Sequence, residues 1–267
     1  LEIVVPDNPV QYTVDHGVAT ITLNRPEAMN SLDTATKNAL RDVVVRAADD
    51  APVRAVVLTG SGRAFCVGQD LKEHADGLRT GSADLGTTIQ EHYNPIARAL
   101  ATMPKPVIAA VNGVAAGAGA SFAFACDLRI VGESAGFNLA FAAIGLPGDS
   151  GSTWTLPRLV GWAKARELLL MPRTVKAAEA ATLGLASEVV PDSEVMARAT
   201  ELARHLAAGP TVAYAAIREG LAYSAAHSLD EALEREAELM SIAAATEDHQ
   251  AAVASFLAKR PAEFHGK

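Results

Sequence analysis

Aromatic residues are scarce in this chain: they fill 5% of its 267 positions. A core with so few rings has to close on small aliphatic side chains, and the many alanines favour tightly packed helices. Cysteine is scarcer still. Cys66 and Cys126 are the only two, which does not imply a disulfide framework at this length. No cluster of Lys and Arg tracks a phosphate backbone, and the formal net charge is −8, so nucleic acid is not expected as a partner. No apolar run approaches the roughly 20 residues of a membrane span, and the N-terminus, opening at Leu1, has no secretory core. The expectation is a cytoplasmic protein with no membrane partner. Metal-ligand spacing is missing. Gly113, Gly117 and Gly119 lack the spacing and acidic partner of a dinucleotide fingerprint.

What the chain does have is 49% hydrophobic and 20% charged residues, enough for a sizeable core and too apolar for disorder. Its organising stretch is VNGVAAGAGASFAFACD, 111–127. An apolar run, 107–111, reads as a buried strand; Asn112-Gly113 is a turn pair, and glycines lead into a small-residue helix ending near Cys126-Asp127. A strand feeding a helix through glycine offers free main-chain N–H groups and the positive end of a helix dipole, a place to hold negative charge. A tight strand-to-helix turn has the same local pattern.

Elsewhere, 10–14 and 18–23 read as strands around a turn at Asp15-His16-Gly17. A helix over 33–48, capped by Asp33 or Ser31, leads to a strand over 55–59, so parallel pairing is expected. Gly68 sits in a turn before a helix start near Asp70. Residues 75–88 read as a mobile loop, 89–103 as a helix ended by Pro104 and Pro106, and 128–131 as a short strand. The segment 137–154 is a loop running into a helix at Ser152 or Thr153, interrupted at Pro157-Arg158 and Gly161. Thr174 is expected to cap a helix that stops at Gly184, followed by a strand over 185–190. From 193 on the periodicity is helical: 193–207, 211–223, 228–244 and 247–258. The result is an α/β core over 1–192 and a helical region over 193–267.

The chain resembles the crotonase superfamily of enoyl-CoA hydratases and isomerases through LNRPEAMNSLD (23–33), AFCVGQDL (64–71), KPVIAAVNGVAAGAGA (105–120) and GDSGSTWTLPRLVG (148–161), in that order. The resemblance implies a ClpP/crotonase-like spiral of ββα units with a C-terminal helical trimerisation region, a homotrimer or hexamer (dimer of trimers), and an acyl-CoA thioester substrate. No separate cofactor is implied, because coenzyme A belongs to the substrate. The family's oxyanion-hole donors fall on the N–H groups of Gln69, after Gly68, and of Ala118, after Gly117. The two glutamates with which hydratases hold water would fall at Ser121 and Phe141. Serine is a poor base and phenylalanine transfers no proton, so two-carboxylate hydration has no obvious machinery.

A carboxylate does stand at Asp149, where the family's isomerases can carry a proton-shuttling aspartate. In GVAAGAGA, around Phe141 and in Thr153 to Arg158, the likeness is greatest to the phenylacetate-pathway 2-(1,2-epoxy-1,2-dihydrophenyl)acetyl-CoA isomerases. An Asp in a Gly/Ser loop also commonly caps the following helix. Flanking Ile144, Leu146 and Trp154 would raise its pKa by desolvation. By resemblance, Arg25 and Ala28 lie where the CoA nucleotide and phosphates sit, and Ala64, Asp70 and Leu71 line the adenine and pantetheine groove. The resemblance also implies that the terminal helix, with Phe256 and Lys259, reaches a neighbouring subunit's CoA; by themselves these residues read as a core aromatic and a solvated lysine. Arg25 also reads as an ordinary surface arginine, Asp70 and Glu73 as helix-start charges, His74 and His92 as surface histidines, and Cys66 as small apolar core.

Overall fold

A computed structural model describes residues 8–267; the first seven residues of the expected core lie outside it. Ten strands occur among the described residues: β1 (Val10–Asp15), β2 (Val18–Leu23), β3 (Ala55–Gly60), β4 (Ala64–Cys66), β5 (Val107–Val111), β6 (Val114–Ala116), β7 (Leu128–Gly132), β8 (Gly136–Asn138), β9 (Val175–Lys176) and β10 (Glu188–Val190). They form two sheets, β1-β2-β3-β5-β7-β10 and β4-β6-β8-β9. The β1–β2 hairpin and the β8–β9 pair are antiparallel; all other pairs are parallel. Three times the chain leaves the large sheet (β3, β5, β7), crosses a tight link into the small one (β4, β6, β8) and continues into helix. That is the expected spiral of ββα turns. β3 and β5 are buried at every residue, as strands covered on both faces must be.

The helices are α1 (Thr34–Asp49), α2 (Leu71–Thr80), α3 (Leu85–Thr88), α4 (Asn94–Thr102), α5 (Ala118–Ala125), α6 (Ser152–Leu170), α7 (Ala177–Thr182), α8 (Val195–Ala207), α9 (Thr211–Ser224), α10 (Leu229–Ala244) and α11 (Glu247–Leu257). Asp33, not Ser31, caps α1: its side chain accepts the Thr36 N–H at 2.8 Å. Every residue of α5 is buried, so this small-residue helix is a central core element.

Several local expectations give way. The stretch 75–88 is no open loop: Asp70 caps α2 at one end and Gly81, with φ 72°, closes it at the other, and α3 follows. The continuous helix over 89–103 is instead a π turn, Ile89–Tyr93, followed by α4. Thr174 caps nothing, because β9 intervenes and the residue before α7 is Lys176. The final strand is shortened to β10. Gly161 does break α6, at φ 74°, whereas the helix runs through Pro157. Val195, Ala199, Ala203 and Ala207 of α8 pack with Ala55, Val57, Ile108 and Ile130 of the large sheet. The first helix after residue 192, α8, thus covers the large sheet, and α9 to α11 follow it.

Candidate active site

The site is built where two strand-to-helix turns meet. The first is Gly68-Gln69, between β4 and α2. Leu32 sits opposite Gln69 in a parallel bridge: its N–H donates to the Gly68 carbonyl (2.8 Å) and its carbonyl accepts the Asp70 N–H (3.1 Å). That pattern uses the peptide groups on either side of Gln69 and turns the Gln69 N–H away from Leu32. The second turn is Gly117-Ala118. Gly117 donates its N–H to the Asn138 carbonyl (2.9 Å) and adopts φ 52°, ψ −124°. Ala118 opens α5, so its N–H has no intrahelical acceptor and lies at the positive end of the helix.

The two turns touch. Gly68 has φ 83°, and a Cβ there would lie 2.9 Å from the Ala116 carbonyl oxygen and 3.2 Å from the Ala118 nitrogen. A Cβ on Gly119 would lie 2.2 Å from the Cys66 carbonyl oxygen, a collision. Glycine at both positions lets the backbones approach, and no acceptor within the turns, loops and caps of the described residues takes the Gln69 or Ala118 amide. The Phe141 ring lines the same place, 3.9 Å from where a Gly117 Cβ would sit.

Ser121 is fully buried and donates its hydroxyl to the Gly117 carbonyl (3.0 Å), so it steadies the turn rather than facing a substrate. Asp149 does not cap α6 with its side chain; the N-cap is Gly151. Its carboxylate accepts the Ser150 hydroxyl at 2.8 Å. Burial pushes its pKa above the ordinary carboxylate value, and the Ser150 bond only partly opposes that. Ile144 and Trp154 are themselves exposed, and Trp154 carries the Arg158 guanidinium 4.1 Å above its ring.

Asp149 is near enough to Tyr93 that, after burial, its charge is the next strongest influence raising the phenol's pKa. Tyr93 in turn donates its hydroxyl to the Gln69 side-chain oxygen at 2.5 Å. Sequence reasoning missed Tyr93. It shares a buried stripe with Ile96 and Leu100 and looks like core; its one signal was a polar tip on an otherwise apolar face.

The expected CoA contacts fare unevenly. Arg25 is taken up inside the chain by Asp33 (3.1 Å), Asp70 (3.2 Å) and the Ser31 carbonyl (2.7 Å). Any phosphate must share the guanidinium with two carboxylates. The Ala64 carbonyl already accepts the side-chain amides of Asn30 (2.8 Å) and Asn112 (3.4 Å). Asp70 is buried as a cap, whereas Leu71 is exposed and Ala28 half-buried. Phe256 and Lys259 face solvent at the end of α11, which packs chiefly on α10. The His92 ring nitrogen Nδ1 donates locally to the Thr88 carbonyl (3.3 Å). Cys66 is buried, its thiol pushed up to about 12 by desolvation, which leaves it no nucleophile.

Two main-chain amides with no acceptor in their own turns, one of them on a residue linked through Tyr93 to the desolvated Asp149, suit an enzyme that stabilises a developing oxyanion while a proton moves. The chain belongs to the enoyl-CoA hydratase/isomerase family, whose model matches residues 13–267, and it is therefore an enzyme acting on acyl-CoA thioesters. A Rhodobacter capsulatus protein described as a probable enoyl-CoA hydratase is 44% identical, over 97% of this chain and 98% of its own. The 1,2-epoxyphenylacetyl-CoA isomerase of Escherichia coli is 41% identical, over 95% and 97%. A crystal structure from Mycobacterium abscessus, of a protein assigned to the enoyl-CoA hydratase/isomerases, superposes with a TM-score of 0.93 at 43% identity, covering 97% of this chain and all of the other. Among the described residues no helix is long and apolar enough to cross a membrane.

Proposed function

We propose that this enzyme is an acyl-CoA isomerase in which Asp149 carries the proton. The thioester oxygen sits between the Gln69 and Ala118 N–H groups. Asp149 takes a proton from the carbon next to the carbonyl; the electron pair moves onto the oxygen as an enolate. The same carboxyl then returns the proton to a more distant carbon as the double bond shifts toward the thioester. The observation that carries this reading is the pairing of a desolvated Asp149 with Ser121 and Phe141. One of those is tied to Gly117 and the other has no proton to give, at the positions where a hydratase needs carboxylates. Two substrates fit: a Δ3-enoyl-CoA going to its Δ2 isomer, or a ring-epoxide phenylacetyl-CoA opening to the oxepin. The Escherichia coli relative's name supports the second.

Hydration of an enoyl-CoA is the competing reading, favoured by the Rhodobacter capsulatus relative's description. Incubation of 3-hexenoyl-CoA, a ring-epoxide phenylacetyl-CoA and crotonyl-CoA in D₂O, with mass readout, decides between them. Isomerisation with deuterium incorporation that Asp149→Asn abolishes is the expected result. Fast crotonyl-CoA hydration that survives Asp149→Asn overturns it.

The proposed assembly is a homotrimer or a dimer of trimers through α9 to α11. There Ile217, Leu221 and Met240 are exposed around an apolar hollow of about 550 Å³, alongside Leu233 and Phe256. So much exposed aliphatic surface on one set of helices fits a subunit interface.

A further inference from the structure

We infer that Tyr93 is a positioning residue of the oxyanion hole, bracing both of its amide donors at once. The inference rests on the reading of the Gln69 and Ala118 amides as those donors. A phenol that is 2% exposed has to find a partner for its hydroxyl, and a phenylalanine would fill the same space without that demand. The partner here is the side-chain oxygen of Gln69, the residue whose main-chain N–H the Leu32 bridge turns away from Leu32. The ring meets Phe122 of α5 edge-on, with centroids 5.9 Å apart and planes at 76°. That helix begins with Ala118, the other donor. One side chain therefore ties the Gln69 segment to the helix that presents Ala118.

The backbone is built to put it there. Tyr93 closes the π turn Ile89–Tyr93, an irregular turn of a kind frequent at functional sites. Ile96 and Leu100 of α4 bury alongside it, and Ala97 of the same helix lies 4.0 Å from where a Cβ on Gly151 would sit, so the helix that anchors Tyr93 also backs the Asp149 loop. The phenol is held well above its usual titration range by burial and by the Asp149 charge, so its hydroxyl remains a donor throughout the working pH range.

The test is a double-mutant cycle of Tyr93→Phe and Gln69→Met on the full-length enzyme. Tyr93→Phe keeps the ring, and Gln69→Met keeps the main-chain N–H while deleting the acceptor. Each single change is expected to lower kcat about 10-fold, the size of one net hydrogen bond, with KM moving less than about 2-fold. The double variant is expected to be no worse than either single one, because both remove the same link. Independently of turnover, the thioester carbonyl infrared band of bound butyryl-CoA reports polarisation by the amides. It is expected to lie at lower frequency in the wild type than in Tyr93→Phe. Full kcat in Tyr93→Phe, losses that multiply in the double variant, or an unmoved carbonyl band would each overturn the inference. Failure of the isomerase reading is separable: it appears as hydration surviving Asp149→Asn, while the carbonyl band still reads the Tyr93–Gln69 link.

Discussion

Arg25 reaches Asp70 at 3.2 Å, and that carboxylate in turn caps α2 by accepting the N–H groups of Lys72 (3.0 Å) and Glu73 (3.2 Å). The pair clamps the residue next to Gln69, so it bears on both stability and chemistry. Burial alone would raise the Asp70 pKa. The Glu73 amide, the Ser31 hydroxyl, Arg25 and the Lys72 amide outweigh it and leave the carboxyl below its ordinary value. Its stabilisation is present above the unfolded value near 3.9 and is lost as pH falls through the lower folded-state value. Asp70→Ala is expected to cost about 1–3 kcal/mol in urea unfolding, through the lost cap and the orphaned guanidinium. Asp70→Asn should flatten the acid limb of stability.

Asp149 has the opposite sign. Its folded-state pKa is raised, so the native protein holds this proton more tightly than the unfolded chain. The group's contribution to stability is fully present below about 3.9 and is lost as pH rises through the folded-state value. Asp149→Asn removes that loss and should melt higher than the wild type at neutral pH while losing about 10²–10⁴-fold in isomerisation. The acid limb of kcat/KM in the wild type should lie above the usual carboxylate range and vanish in the variant. Paired melting curves and pH–rate profiles check both.

Gly68→Ala puts a methyl group 2.9 Å from the Ala116 oxygen on a backbone at φ 83°. The two turns must separate, and with them the two amides. The expected loss is about 10²–10³ in kcat, the scale of one misplaced oxyanion donor, whatever the acyl chain. Turnover that stays within a few-fold of wild type would mean that the approach of these turns is not what catalysis needs.

Leu221→Glu and Met240→Glu place charge on exposed apolar positions of α9 and α10. Neither side chain has a role in the folded core, so the helices should persist by circular dichroism while sedimentation reports smaller species. An unchanged assembly in both variants removes these helices from the interface. Phe256→Ala tests the reach of α11 separately: a raised KM for acyl-CoA with kcat unchanged is expected if a neighbour's ligand uses it.

Much of this was legible before any coordinates. Period-two alternation in VATITL and the apolar run VIAAV gave β2 and β5, and Asp33 announced α1. The small strands β4, β6, β8 and β9, of two or three residues each, were not legible, because alternation cannot register over so few positions. The helix start near Asp70 was legible, but the Gly- and Asp-rich stretch 75–88 hid the second half of α2, whose caps, Asp70 and Gly81, outweigh a poor interior. The π turn at 89–93 is invisible to a 3.6-residue pattern.

By itself the sequence determined the longer strands and helices, the glycine-led turns after 60 and 111, and that a lone acid stood in the 148–154 loop. Local propensity and burial pattern act within a few residues, so they are written in the order of the chain. Tertiary packing alone decided that Arg25 answers to Asp70 and Asp33, that α8 covers the large sheet, and that Tyr93 touches Gln69. The polar pairings exist because a buried polar group has to find a partner, and the α8 contact because apolar faces leave water; only the folded arrangement fixes which partner is within reach.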